Sequence, residues 1–284
     1  MNQETERVLF AGRVPGISVE RIRRQGNFSM TRKHFHSSFE IYYLLEGERN
    51  YFIRSKTYRV RQGGMAFVGS GQIHKTTMGS PVHERILLQI SEELTDAFGR
   101  ETQAGDPPFS SRSGVLMLTQ AERAQAERIL FGMIAELADR RPAYVQAVRA
   151  LLDELLIFLL RKDESSGAKY QAVDSAKHKK VNEVANYICA NFAEISSLDR
   201  LSERFYISKY YLCRIFREVT GMTITQYVNA NRLKAAEKML RESSESVIRV
   251  AAASGFGNVA YFDRVFRESL GVSPSEYRKS GRTG

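Results

Sequence analysis

The chain has 284 residues, 42 of them Lys or Arg and 32 Asp or Glu, for a net charge of +10. At about 100–200 residues per domain this length holds two domains, and 43% apolar with 10% aromatic content excludes wholesale disorder. The charge is uneven: residues 177–284 hold 18 basic and 11 acidic side chains, net +7, against 24 and 21, net +3, before them, which points to a polyanion partner for the C-terminal part.

The start, Met1-Asn2-Gln3-Glu4-Thr5-Glu6, is polar and acidic and does not read as a signal peptide. The first 115 residues read as strands. Glu40 to Leu45, Met65 to Val68 and Arg85 to Ile90 are short apolar runs, the first two bounded by glycines. Tyr51-Phe52-Ile53-Arg54, Ser55-Lys56 and Thr57-Tyr58-Arg59-Val60 predict a hairpin around a polar turn. Many short strands favour a barrel or sandwich over a βαβ fold. Asp106-Pro107-Pro108 and Ser110-Ser111 mark an irregular break. The period then changes. Thr119 is a cap, followed at helical spacing by Ala121, Ala124, Ile129, Leu130, Met133, Ile134 and Leu137. A second helix over 143–161 carries Val145, Val148, Leu151, Leu152, Leu155, Leu156 and Leu159 on one wide stripe, which either packs within the chain or pairs with a second copy. Its longest apolar run, Leu155 to Leu160, is far short of the roughly 20 residues that a membrane helix needs. Asp163 to Lys169 reads as a linker. Beyond it the pattern stays helical. Cys189 and Cys213 sit within it, 24 residues apart, which fits neither a disulfide framework nor a cysteine zinc site. A reducing, cytoplasmic compartment is expected.

The C-terminal part repeats itself. Shifting Ser208–Tyr227 by fifty positions aligns Tyr211 with Tyr261, Arg214 with Arg264, Phe216 with Phe266, Arg217 with Arg267, Glu218 with Glu268, Gly221 with Gly271 and Tyr227 with Tyr277. Chance would give about one identity, so the chain holds two copies of one supersecondary unit. In each, a short helix (198–205; 247–253) and a turn precede a second helix capped by Ser208 or Asn258. Tyr211, Leu212, Ile215, Phe216 and Val219 make one apolar face, and Tyr261, Phe262, Val265 and Phe266 the other; Gly221 and Gly271 suit the left-handed residue that ends a helix. This is a helix-turn-helix grammar. The packing positions agree between copies, whereas 209/259, 210/260 and 213/263 differ; surface drift after a purely structural duplication gives such a difference, and two helices reading different base sequences require it. Arg214 and Arg264 lie one turn in, where an arginine can bridge guanine O6 and N7; for either one alone, a solvated or ion-paired role is the alternative.

These residues resemble the AraC/XylS family of bacterial transcription regulators. The matching strings include Leu198-Asp199-Arg200-Leu201-Ser202, Ser208 to Arg217, Thr220-Gly221, Arg232-Leu233-Lys234-Ala235-Ala236, Gly255-Phe256, Tyr261 to Arg267, Gly271-Val272-Ser273-Pro274 and Tyr277-Arg278. The resemblance implies seven helices, with a long helix over about 224–240 joining two units whose reading helices enter successive major grooves, about 34 Å apart in B-DNA. Carried over by position, Tyr210, Cys213 and Arg214, then Ala260, Asp263 and Arg264, face bases; Lys209, Arg217 and Arg267 contact phosphates or stay solvated; Ser208 and Asn258 complete the DNA-facing set. Ala260 stands where the family often has a small polar residue. Asp263 either accepts from cytosine N4 or pairs with a nearby arginine.

His34-Phe35-His36, Glu40 and Gly47 resemble the first cupin motif, and Gly63, Gly69, Gly71 and His74 the second, with Gly69 in place of the usual proline and Met78 in place of the usual asparagine. Alternate residues share a strand face, so His34 and His36 can converge with Glu40 and His74. The set serves as a metal site, since imidazoles and a carboxylate suit Fe, Mn, Ni or Zn, or as a polar pocket in which His36, Glu40, Tyr42 and His74 bind a small organic effector, a sugar among the candidates; for each residue singly, a packing or hydrogen-bonding role near the barrel mouth is the alternative.

The expected fold is α+β and multidomain: an N-terminal cupin β-barrel with two helices, and a C-terminal all-α double helix-turn-helix. Expected boundaries are 1–115 for the effector-sensing barrel, 116–162 for a dimerising helical pair, 163–177 for a linker and 178–284 for the DNA-binding domain, with units at about 198–218 and 247–268. The expected protein is a sequence-specific regulator of promoter DNA, switched by its effector and without enzymatic activity, cofactor or membrane attachment. The resemblance adds RNA polymerase and a homodimer partner, with activation the usual mode. The alternative is a cupin metalloenzyme with an accessory DNA-binding domain.

Overall fold

In a computed structural model the chain divides into two compact units, Met1–Val173 and Asp174–Gly284. The structure describes residues 5–26, 38–53, 55–102, 113–165 and 175–280, with 163–165 and 280 by backbone alone. His34, His36, Arg54 and the break expected at 106–111 lie outside the described residues.

The first unit contains β1 (Thr5–Val14), β2 (Ile17–Gln25), β3 (Ser38–Glu46), β4 (Glu48–Ile53), β5 (Lys56–Arg61), β6 (Gly64–Val68), β7 (His74–Met78), β8 (Val82–Ser91), α1 (Glu92–Thr102), β9 (Gly114–Met117), α2 (Gln120–Asp139) and α3 (Tyr144–Ser165). Six strands form one sheet in the order β1-β2-β8-β3-β6-β9, and three form a second, β5-β4-β7. Every pairing among the described strands is antiparallel; β1 with β2 and β4 with β5 pair as consecutive strands, whereas β2 with β8, β8 with β3, β3 with β6, β6 with β9 and β4 with β7 pair across longer stretches of the chain. The expected hairpin is β4–β5. The strands β1, β2, β7 and β9 and the helix α1 were not singled out by the sequence pattern; Ile17, Val19 and Ile22 in β2 are interrupted by charged residues that pair across the sheet.

β3 lies inside the larger sheet and is buried on both faces. Phe39, Ile41 and Tyr43 join a core with Ile86, Leu88 and Ile90 of β8 and the apolar residues of α2 and α3. Tyr42 and Leu44 join Tyr51, Ile53, Tyr58 and Val60 of the smaller sheet. Two covered faces explain why this strand reads as a continuous apolar run and not as an alternation.

Helix α2 starts at a capping box, with Thr119 Oγ1 accepting from Glu122 N–H and Glu122 Oε2 accepting from Thr119 N–H at 2.8 Å. Its Ile129, Leu130, Met133 and Leu137 pack against the sheet together with Val148, Leu152, Leu155, Leu156 and Leu159 of α3. The wide stripe of the second expected helix is thus largely consumed within the chain, each such side chain contributing about 1.5–3 kcal/mol on burial. Residues 163–165 belong to α3, and Ala176 and Lys177 to the first helix of the second unit, so both ends of the expected linker are helical.

Among its described residues the regular elements of the second unit are all helices: α4 (Ala176–Asn191), α5 (Leu198–Arg204), α6 (Lys209–Thr220), α7 (Ile224–Glu242), α8 (Val247–Ala253), α9 (Val259–Leu270) and α10 (Pro274–Ser280). The fifty-residue repeat is a repeat of contacts. Phe216 meets Tyr227 edge-on at 5.5 Å, and Phe266 meets Tyr277 edge-on at 5.5 Å. Thr223 and Gln226 form a capping box ahead of α7; Ser273 and Glu276 do the same ahead of α10, whose first residue is Pro274. Arg232 on α7 ties the halves together. Its guanidinium donates to the carbonyls of Phe192 (3.0 Å) and Ile195 (2.7 Å) in the first half and lies 5.7 Å from the Phe256 ring in the second.

Candidate functional site

Helices α6 and α9 are twelve residues each and are built alike. Ser208 Oγ accepts from Tyr211 N–H, and Asn258 Oδ1 accepts from Tyr261 N–H at 2.9 Å. Gly221 and Gly271 end them at φ 70 and 77, a left-handed conformation open to glycine because it lacks a Cβ. Leu212, Ile215, Phe216 and Val219 are buried beneath α6, and Phe262, Val265 and Phe266 beneath α9.

The opposite faces are open. Lys209, Tyr210, Arg214 and Arg217 are exposed on α6, and Ala260, Arg264 and Arg267 on α9; Cys213 and Asp263 are half-buried. The Arg214 guanidinium lies 5.3 Å from the Tyr211 ring, and the Arg264 guanidinium lies 5.3 Å from the Tyr261 ring. Stacking on an aromatic face restrains the guanidinium while leaving its edge N–H groups able to donate. This corrects one expectation. Tyr211 was assigned to the buried face, but it is 41% exposed, because its ring serves as the platform for Arg214. Tyr261 is half-buried, with its hydroxyl accepting from Asn229 Nδ2 at 2.6 Å.

The two faces differ in charge. On α9, Asp263 Oδ2 accepts from Arg267 Nε at 2.8 Å, so of the two alternatives for Asp263 the structure has the arginine pair. Lys209 pairs with Asp199 of α5 at 2.9 Å. Exposed pairs of this kind are worth about 0.2–1 kcal/mol, small enough for a phosphate to displace. In the turn before α6, Tyr206 is 96% exposed at φ 54, where the second unit has Gly255 at φ 88. A non-glycine residue costs about 1–2 kcal/mol in this region. Tyr206 had no place among the expected site residues.

The barrel holds the second site. Glu40 on β3 is fully buried, and Tyr51 Oη donates to its Oε1 at 2.6 Å. His74, on β7 of the facing sheet, places Nε2 3.7 Å from Glu40 Oε2, while its Nδ1 lies 2.8 Å from the Gln72 carbonyl oxygen. Tyr42 meets Tyr51 edge-on at 5.3 Å, and Tyr51 stacks on His74 at 6.1 Å. Glu40, Tyr42 and His74 are therefore brought together, as expected, around a Tyr51 that had been read only as part of the hairpin. Burial raises the Tyr51 phenol well above its ordinary pKa, with Glu40 adding to the shift, so Tyr51 acts as a neutral donor. Burial raises Tyr42 likewise. Of the four expected metal ligands, Glu40 and His74 have these partners; His34 and His36 lie outside the described residues. Among the described residues no three His, Cys, Asp or Glu side chains form a metal-binding group.

Beside this group lie cations that the sequence pattern did not single out. Arg49 on β4 and Arg85 and His83 on β8 are buried. Arg24 of β2 pairs with His83 in the sheet register. Alternation along Val82-His83-Glu84-Arg85 marks His83 and Arg85 as sharing a face, but only the register adds Arg24, and only the sheet packing adds Arg49.

No described helix is long and apolar enough to cross a membrane. The family model for an AraC-like ligand binding domain matches residues 16–160, and one for a helix-turn-helix domain matches residues 201–280. The chain is 25% identical to the HTH-type transcriptional activator RhaR of Mannheimia succiniciproducens, over 92% of this chain and 91% of that protein. It is 26% identical to the HTH-type transcriptional activator RhaS of Klebsiella pneumoniae, over 93% of each. Among solved structures it is similar to ToxT from Vibrio cholerae, at 13% identity over 95% of this chain and 98% of that one, with a TM-score of 0.43. With a ligand-binding domain spanning half its length and a pair of capped, arginine-bearing helices behind it, the chain belongs to the AraC family of helix-turn-helix transcription regulators.

Proposed function

We propose that the chain is a cytoplasmic transcriptional activator whose barrel binds a small organic effector, a sugar among the candidates, through His36, Glu40, Tyr42 and His74, and whose α6 and α9 read promoter DNA. The observation that carries the DNA reading is the matched pair Arg214 on Tyr211 and Arg264 on Tyr261 at equal spacing. In this reading both arginines meet guanines, with Tyr210, Cys213, Ala260 and Asp263 beside them on the bases. Lys209, Arg217, Arg267, Ser208 and Asn258 meet the backbone, where contacts set register without reading sequence. Asp263 pairs with Arg267 on α9 and Asp199 with Lys209 on α6, which leaves Arg214 and Arg217 on α6 against Arg264 on α9, so α9 contributes less to affinity than α6. The curated relatives, both named as activators, support the sign of regulation.

The effector acts by population shift: it favours the arrangement of DNA-binding units that fits the promoter, by no more than its own difference in affinity for the two arrangements. The active species is a homodimer that contacts RNA polymerase. Ile134 and Ile157 on the helical pair are only half-buried, which supports a second copy there, and light scattering of the full chain then gives twice the chain mass. Selection of bound DNA from a random pool, with and without sugars, tests the whole reading. It yields a defined motif with two guanine-dependent segments one helical turn apart; recovery of sequences without any motif overturns it.

A further inference from the structure

The barrel interior concentrates positive charge. Arg49, 1% exposed, donates from Nη2 to Thr76 Oγ1 at 3.4 Å. Arg85, 7% exposed, donates from Nη2 to Glu20 at 2.8 Å, and its guanidinium lies 5.8 Å from the Tyr42 ring. His83, 1% exposed, sits opposite Arg24 across the β2–β8 ladder. Arg24 is held by Glu6 at 2.5 Å. The carboxylates that meet Arg24 and Arg85 are themselves about 40% exposed, at the rim of the cluster. Inside it, His83 Nδ1 and Arg85 Nη1 are buried polar atoms with no hydrogen-bond partner among the described residues.

Crowding buried guanidinium groups costs stability, because each loses hydration and repels the next. Buried polar atoms left without a partner cost more. Such an arrangement is stable when an anion shares it, and guanidinium donors match carboxylate and phosphate oxygens in pairs. Burial first, and then Arg49, Arg24 and Arg85, lower the His83 pKa to about 3, so the imidazole is neutral and can donate one N–H to an oxyanion. Tyr42 lies beside both this cluster and the group formed by Glu40, Tyr51 and His74. That second group offers a carboxylate acceptor and a polar ring, the groups that hold hydroxyls.

Resting on the effector reading above, we infer that the effector is a sugar derivative bearing an oxyanion, with the anion held by Arg85, His83 and Arg49 and the hydroxyls directed to Glu40, Tyr42 and His74. A carboxylate on a sugar acid and a phosphate on a sugar share this chemistry.

The test follows the thermal unfolding of the full chain at constant ionic strength with inorganic phosphate, a hexuronate, a hexose 6-phosphate and the parent neutral hexose. Phosphate raises the N-terminal transition saturably. The hexuronate or the hexose phosphate does so at tenfold or more lower concentration, and whichever of the two saturates first identifies the anion. The neutral hexose needs at least tenfold more than either. Arg85→Gln and His83→Gln each weaken the anionic compounds at least tenfold while the far-ultraviolet circular dichroism matches that of the unaltered chain. The comparison of charged and neutral compounds uses the unaltered chain, so it stands even if a variant fails to fold. A neutral hexose that binds as tightly as its charged counterparts overturns the anion inference and leaves the effector reading intact. Melting that responds to no compound, charged or neutral, overturns both.

Discussion

Arg232→Met isolates the link between the two helix-turn-helix units. The substitution keeps an aliphatic stem but removes donors to the Phe192 and Ile195 carbonyls at 3.0 and 2.7 Å and the cation over the Phe256 ring. A hydrogen bond from a charged group contributes about 1.5–3 kcal/mol. Phe192 and Ile195 are half-buried, so water takes over part of the bonding to their carbonyls. Burial holds the Arg232 pKa below its ordinary value, which means that removing the charge also removes a desolvation cost. The net loss is about 2 kcal/mol. For a unit of about a hundred residues, each kcal/mol moves the melting point by about 4–8 °C, so the C-terminal transition falls by about 10 °C. Circular dichroism at 222 nm reads it on the full chain, and a gel shift with full and half operators reads the consequence. A looser link weakens binding to the full site more than to the half site. A C-terminal transition within about 1 °C of the unaltered protein would refute the assignment of Arg232 as the tie.

Tyr51→Phe removes the phenol that donates to buried Glu40; the loss is about 2 kcal/mol, seen as an earlier N-terminal transition, and an unchanged melt would place the Glu40 charge elsewhere. His83 gives the barrel an acid sensitivity of defined sign. Its pKa is about 3 when folded and 6.5 as the ordinary value, so both states are neutral above 6.5 and His83 contributes no slope there. Below 6.5 the unfolded chain takes up a proton that the folded chain cannot hold beside Arg24, Arg49 and Arg85, and stability falls by about 1.4 kcal/mol per pH unit. Urea midpoints from pH 7 to 5 show that slope, less steep in His83→Gln; parallel curves for the two proteins would count against a buried neutral imidazole.

The repeat was legible because its packing positions recur at a fixed spacing: Phe216 with Tyr227 and Phe266 with Tyr277 are identical in both copies, and so are the contacts they make. The caps at Ser208 and Asn258 were legible for the same local reason. The convergence of Glu40 and His74 could be read from spacing and motif, since each needed only a strand and a face. The role of Tyr211 could not, because an aromatic at an apolar spacing gives no sign that it carries an arginine. Nor could the cation cluster. Arg24, Arg49, His83 and Arg85 come from three strands spread over sixty residues, and each looks locally like a solvent-facing charge until register and sheet packing bring them inward. The apolar stripe of α3 shows the converse: periodicity identified the buried residues, but the choice between a partner in the same chain and one in a second copy needed the sheet against which they lie.

Base preference measured for Arg214→Ala and Arg264→Ala bears most directly on the twin reading helices. Each substitution relaxes selection at one guanine, about 1–3 kcal/mol in discrimination, and the two affected positions lie about one helical turn apart. Both variants retaining the full preference of the unaltered protein, with only a uniform drop in affinity, would contradict the assignment of these arginines to base edges.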